Sequence, residues 1–254
     1  MTDVGRRAPE LIGNGLVALH GGGEFLPGDE RFLGAILEAA PRTARIVRAA
    51  VVPTAAARGR PADAAEFAIR ALGRIGASLE LTVDAQAAAV VDPASANDPG
   101  LAAFLAEADL IHFPGGDPDL IPAVLPGTAA WAAVLTALGR GAVLAGASAG
   151  AMALGSWTWT PGGVVQGLGM IPGIVVVPHA DARSWADNLR RFGGMAPSGA
   201  AVLGIGERTG VLIRATEPWQ IVGEAEVRWL APGQHDLDAA LVLRHGESFS
   251  PWTS

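Results

Sequence analysis

Short apolar runs alternate with longer amphipathic segments along most of this chain, a pattern that predicts βα units around a mostly parallel sheet. The runs at 16–20 (LVALH), 45–53 (RIVRAAVVP), 78–84 (SLELTVD), 110–115 (LIHFPG) and 141–147 (GAVLAGA) read as strands. Two more follow at 173–179 (GIVVVPH) and 201–207 (AVLGIGE). Several are apolar at nearly every position, as strands are when helices cover both faces of their sheet. Helical spacing with terminal glycine or proline predicts helices over 29–41, 61–76, 128–141 and 184–194. From about 211 the runs VLIRAT, QIVGEAEVRWL and AALVLRHG are closely spaced, which predicts an antiparallel extension that finishes the sheet. With no repeat and no long linker, the 254 residues read as one α/β domain, 1–254, with helices on both faces of the sheet.

Composition narrows the chemistry. The net charge of −7 argues against nucleic acid and anionic membrane as partners. All 18 basic residues are arginine, so P-loop, Schiff-base and Ser-Lys chemistry are excluded. The absence of cysteine removes disulfides, thiolate catalysis and Cys-ligated zinc. His20, His112, His235 and His245 fall at no metal-ligand spacing, so neither a metal nor another cofactor is expected. Residues 141–180 carry no formal charge, but Pro161, Pro172 and many glycines interrupt them, so they read as a buried sheet centre. The first residues, MTDVGRRAPELIGNG, lack a secretory apolar stretch, which makes the cytoplasm the expected compartment.

The chemical signal is GASAG (146–150), a G-x-S-x-G pattern that lifts Ser148 from a strand-to-helix turn as a nucleophile would be lifted. Alone, it reads better as a small residue at a tight junction. One completion is an α/β-hydrolase esterase, with HGGGE (20–24) as oxyanion loop and Ser148, Asp187 and His235 as triad. That leaves the second glycine-rich loop, FPGGDPD (113–119), without a role. The other completion uses that loop. Backbone N–H groups of Gly116 or Asp117, with that of Ala149, would form an oxyanion hole. His179, ending the next strong strand, would act as base. Its orienting acid would be Asp181 or Glu207, and Glu207, at a strand end on the same sheet edge, is the better placed. The plain readings are a capped strand-end histidine, a Glu207 paired with Arg208 or Arg214, and an Asx turn at Asp117.

Four features in order, GGGE (21–24), FPGGDPD (113–119), GASAGA (146–151) and GIGERTGVLI (204–213), resemble the serine peptidase family that contains peptidase E and cyanophycinase. PHADARSWADNLRRF (178–192) resembles that family's histidine loop and the helix after it. The resemblance implies a fold like class I glutamine amidotransferases with serine in place of cysteine. It implies Ser148 as nucleophile, His179 as base, Glu207 as orienting acid, and an oxyanion hole near Gly116–Asp117 and Ala149. It also implies hydrolysis of a peptide or related amide through an acyl-enzyme, and a homodimer. A relative that keeps the fold but only binds a ligand is the alternative. Pro118 departs from the polar residue the family often carries there, and the apolar VVVP before His179 argues against an Arg/Asp polymer as substrate. Arg183 and Gly22 are the candidates for substrate contact. Arg190 and Arg191 read as a solvated helix face, and Trp157 and Trp159 as packing or dimer contacts.

Overall fold

A computed structural model describes residues 13–193, 196–234 and 236–251. Five strands form its parallel centre: β1 (Leu16–His20), β2 (Ile46–Val51), β3 (Thr82–Ala87), β4 (Leu110–Phe113) and β5 (Val143–Ala147). Their spatial order is β1-β5-β4-β2-β3. Between them run α1 (Glu30–Ala39), α2 (Pro61–Ser78), α3 (Pro99–Ala106), α4 (Leu120–Val124) and α5 (Ala129–Gly139). The local chemistry of the starts is conventional: Asp98 accepts the Leu101 N–H at 2.8 Å to cap α3, and Thr128 accepts that of Trp131 at 3.3 Å to cap α5.

Alternate residues of β1 explain why the run is apolar throughout. Leu16 and Ala18 pack with Phe32, Leu33 and Ile36 of α1 and with Ala68 and Leu72 of α2. Val17 and Leu19 face the opposite layer, which holds Val134 and Leu138 of α5. Both faces are thus removed from water, each buried aliphatic side chain contributing ~1.5–3 kcal/mol.

The rest of the chain departs from the expectation of one sheet. After α6 (Ala149–Leu154), the strands β6 (Gly155–Thr160), β7 (Gly163–Gln166), β8 (Ile171–Val177) and β9 (Ala201–Ile205) belong to a second, six-stranded sheet. Its order is β13-β12-β9-β8-β6-β7, with β12 at Val227–Leu230 and β13 at Leu241–Leu243. The runs GIVVVPH and AVLGIGE are strands, but they pair with each other and not with β5. The antiparallel extension is divided: β10 (Thr209–Ile213), β11 (Trp219–Gly223) and β14 (Ser248–Phe249) extend the first sheet beyond β1, while β12 and β13 extend the second. The inner face of the second sheet, including Ile174, Val176, Leu203 and Trp229, joins the same core as Val17 and Leu19. Short apolar runs carry no label for the sheet they enter, so the sequence pattern alone merged the two.

Smaller shifts follow from local chain direction. SLELTVD begins as the last turn of α2, and the strand starts at Thr82 after Glu80 takes φ 55°. The helix expected over 184–194 is a single turn, α7 (Trp185–Asn188), followed by a wider π turn over Leu189–Gly193.

One buried polar group within β4 yields a measurable consequence. His112 is 1% exposed, its Nδ1 has no hydrogen-bond partner among the described residues, and the Phe25 ring centroid lies 5.2 Å away. Burial, with nearby His20 adding to it, pushes its imidazole from 6.5 down to about 3. Since the folded value lies below the unfolded one, the unfolded chain takes the proton first. The stability due to neutral His112 is therefore present above pH 6.5 and is lost as pH falls toward 3. In urea titrations between pH 7 and 4.5, His112→Phe should flatten the fall in unfolding free energy by roughly 1 kcal/mol per pH unit. Parallel curves for the two proteins would contradict this account.

Candidate active site

The site lies where the chain passes between the two sheets. Ser148 stands between β5 of the first sheet and α6, which leads into the second. Its backbone takes φ 48°, ψ −112°, a region that costs an ordinary residue ~1–3 kcal/mol. Two contacts hold it there: its N–H donates to His20 O at 3.0 Å, and its carbonyl accepts the Met152 N–H at 2.9 Å. The glycine two residues on is sterically required, because a Cβ at Gly150 would lie 2.2 Å from Phe113 O.

His179 follows β8 with φ 53°, and its N–H donates to Gly21 O at 2.8 Å. Its own carbonyl accepts Ser184 Oγ and Asn188 Nδ2 from α7 and the turn before it. Glu207 occupies the short link between β9 of the second sheet and β10 of the first. Its N–H donates to Asp181 Oδ1 at 3.2 Å, and the next residue, Arg208, donates its N–H to Gly22 O at 2.8 Å.

These three anchored residues meet through their side chains. Ser148 Oγ lies 3.0 Å from His179 Nε2, and His179 Nδ1 lies 3.0 Å from Glu207 Oε1. An ionised carboxylate only accepts, so Nδ1 carries the ring proton and Nε2 is left to accept from the Ser148 hydroxyl. The imidazole and carboxylate are about one-third exposed (38% and 37%), so the chain of bonds opens toward solvent. Asp181, the other candidate acid, bonds to the Glu207 backbone and supports that residue from behind.

The sequence-expected donors divide. The Asp117 N–H is spent on Ala55 O at 2.7 Å, which corrects the expectation that it serves an oxyanion hole. Gly116 N–H has no acceptor among the described residues, and Ala149 opens α6, where a first-turn N–H has no intrahelical partner. Gly115, next to both, donates to Glu24 Oε1 at 2.9 Å, and a Cβ on it would stand 3.2 Å from Ser148 Cβ. Arg58 holds the outer end of the same loop through a two-pronged contact with Asp119, at 2.7 and 2.6 Å, which keeps that carboxyl below its usual range.

The expected substrate contacts also separate. Arg183 is exposed and lies in no ion pair among the described residues. Gly22 instead packs on the imidazole: with φ 113°, a Cβ there would be 2.2 Å from His179 Cε1. The esterase arrangement does not form, because Asp187 pairs with Arg190 on the surface and His179 occupies the position beside Ser148. His235 lies outside the described residues. Trp159 packs edge-on against Phe192 at 5.2 Å, with Arg191 over its ring.

Three participants were missed in the sequence. Buried His20 places Nε2 2.9 Å from buried Asp29 Oδ1, and its Nδ1 accepts the Gly22 N–H at 3.3 Å. The other Asp29 oxygen accepts the Phe25 N–H at 2.8 Å. Together with Glu24, this pair fixes the glycine loop beneath the site. HGGGE was visible as a turn, but nothing in its spacing ties His20 to an aspartate at the start of the next helix.

The family model for Peptidase family S51 matches residues 17–218, a span that contains every residue of this arrangement. The chain belongs to peptidase family S51. It is a serine-type peptidase, and its family is not that of the α/β-hydrolase esterases. Among solved structures, a peptidase from an acI-B1 Actinobacterium is similar at 28% identity and a TM-score of 0.74, over 93% of this chain and 96% of that one. A peptidase E-type protein of Listeria monocytogenes EGD-e shares the fold at 15% identity and a TM-score of 0.56, over 83% of this chain and 98% of that one. No curated protein matches the sequence. Among the described residues of this S51 peptidase, no helix is long and apolar enough to cross a membrane, and no three His, Asp or Glu side chains cluster as a metal site.

Gly22→Ala tests how far the site depends on the glycine loop. The added methyl must displace the imidazole, and a misplacement of about 1 Å costs on the order of 100-fold in rate. The variant should react with a fluorophosphonate at least ~100-fold more slowly than wild type while retaining a cooperative thermal transition. Unchanged labelling would remove Gly22 from the account.

Proposed function

We propose that this peptidase cleaves a peptide or closely related amide bond through an acyl-enzyme, with Ser148 as nucleophile, His179 as general base and Glu207 as the orienting acid. The unbroken contact from Ser148 Oγ through both imidazole nitrogens to Glu207, 3.0 Å at each step, carries this reading. His179 Nε2 takes the hydroxyl proton as Oγ bonds to the carbonyl carbon. The oxygen that becomes negative is stabilised by the N–H groups of Gly116 and Ala149, with the first turn of α6 adding its dipole. The imidazolium then gives its proton to the departing amine as the C–N bond breaks. Water, deprotonated by the same nitrogen, releases the acyl group and restores Ser148. Glu207 keeps Nδ1 protonated throughout and stabilises the imidazolium.

The strained backbone at Ser148 supports the same reading, because it aims Oγ away from the sheet and toward Nε2 without requiring a change on binding. The peptide class follows from family membership.

Fluorophosphonate labelling followed by mass spectrometry of the modified peptide tests these assignments. Wild type should label at Ser148, and Ser148→Ala should not label at all. His179→Ala should label on the order of 10³–10⁴-fold more slowly, since the members of such a triad act as one unit. Glu207→Gln should fall in the same range, because an amide no longer fixes the tautomer, whereas Asp181→Asn should lose far less. Equal losses at Asp181 and Glu207 would overturn the assignment of the acid.

A further inference from the structure

Beside Ser148 lies a cavity of about 540 Å³ that the catalytic arrangement does not use. Its lining includes Glu24, Phe25, Leu26, Phe67, Arg74 and Gly115. Gly115 and Glu24 connect it directly to the site, since they bond to each other and Gly115 backs onto Ser148. The volume is in the range of pockets that hold small ligands.

Its chemistry has two ends. At the serine end Glu24 is engaged with the Gly115 N–H, and along one wall the lining is apolar and aromatic. Leu26 is 54% exposed and Phe67 is 58% exposed, so two of the five exposed large apolar side chains among the described residues border this one cavity. Exposed apolar groups gathered at a concave surface mark a binding position. The outer end carries two guanidinium groups of α2. Arg70 is already engaged, paired with Glu66 and lying 4.9 Å over the Phe67 ring. Arg74 lies in no ion pair among the described residues; it acts at longer range on Glu30, whose carboxyl pKa it helps to lower, and its N–H donors remain open to a ligand.

We propose that this cavity is the specificity pocket for the leaving residue of the substrate, and that it selects a C-terminal residue with a large apolar side chain and a free carboxylate. The side chain occupies the space between Phe25, Leu26 and Phe67, and the carboxylate faces Arg74. In a short peptide only the C-terminal residue presents both groups together, which is why the pocket is assigned to the leaving side of the bond. The inference rests on Ser148 being the nucleophile.

The test is a set of dipeptides X-Phe, X-Leu, X-Ala and X-Gly, free and C-terminally amidated, with X varied among acidic, basic, polar and apolar residues. Fluorophosphonate labelling of the same wild-type preparation is measured in parallel. Within the best-cleaved X series, kcat/KM should be at least 10-fold higher for X-Phe than for X-Gly, and amidation should cost about 10-fold. Ala64→Trp, at a half-buried position of α2 on the cavity wall, should collapse the Phe-over-Gly ratio toward one. Arg74→Gln should erase the difference between free and amidated X-Phe. Labelling at Ser148 with equal kcat/KM across the series overturns the pocket and leaves the nucleophile intact. A preference for large apolar residues at X, with indifference to the second residue, overturns its assignment to the leaving side. Failure of wild type to label overturns the serine reading and the pocket with it.

Discussion

Everything at this site hangs on three consecutive backbone carbonyls. His20 O accepts from Ser148 N–H, Gly21 O from His179 N–H, and Gly22 O from Arg208 N–H beside Glu207. The chain segments that bring these residues are far apart in sequence and come from two sheets, yet one short loop indexes them against each other. A backbone acceptor is a good reference point because it has no rotamer to change. The buried His20–Asp29 contact keeps the loop from relaxing, and Glu24 extends the same frame to the Gly115 strand end. Fixing the donors and acceptors in advance is what allows a polar site to act without reorganising.

The division into two sheets gives this loop its geometry. A single open sheet would array its strand ends along one edge, with neighbours about 5 Å apart and all pointing the same way. Here β5 and β8 approach from different sheets, and the link between β9 and β10 crosses from one to the other. Serine, histidine and carboxylate therefore converge from separate directions onto one point. The strain at Ser148 is tolerable because α6 behind it is buried along its length.

Much of this was legible in the sequence. Continuous apolar runs identified four of the five strands of the parallel centre, while the half-exposed edge strand β3 lay three to four residues later than the run that predicted it. Terminal glycines and prolines bounded three of the helices to within about two residues. Ser148, His179 and Glu207 were each picked out at a strand end, and the structure sets them in contact. What could not be read is pairing. Nothing in GIVVVPH or AVLGIGE says that they leave the first sheet, because an apolar strand buried on both sides looks alike in either. The fate of the Asp117 N–H was hidden for the same reason: its acceptor, Ala55, belongs to a turn after β2, and only the folded arrangement brings that carbonyl within 2.7 Å. His20 and Asp29 looked like the end of a strand and the start of a helix. Their contact forms across the loop that separates them.

The order in which the strands are made carries a consequence for the cell. β1, the strand that presents His20, is flanked by β5 on one side and by β10 on the other, with Val17 aligned to Ile213. A ribosome that has just released the serine and the histidine has yet to deliver the carboxylate and the strand that seals β1. In this chain Glu207 lies just before β10, so the third member of the contact is delivered together with the strand that covers the open edge of β1, and the arrangement cannot assemble before both are made.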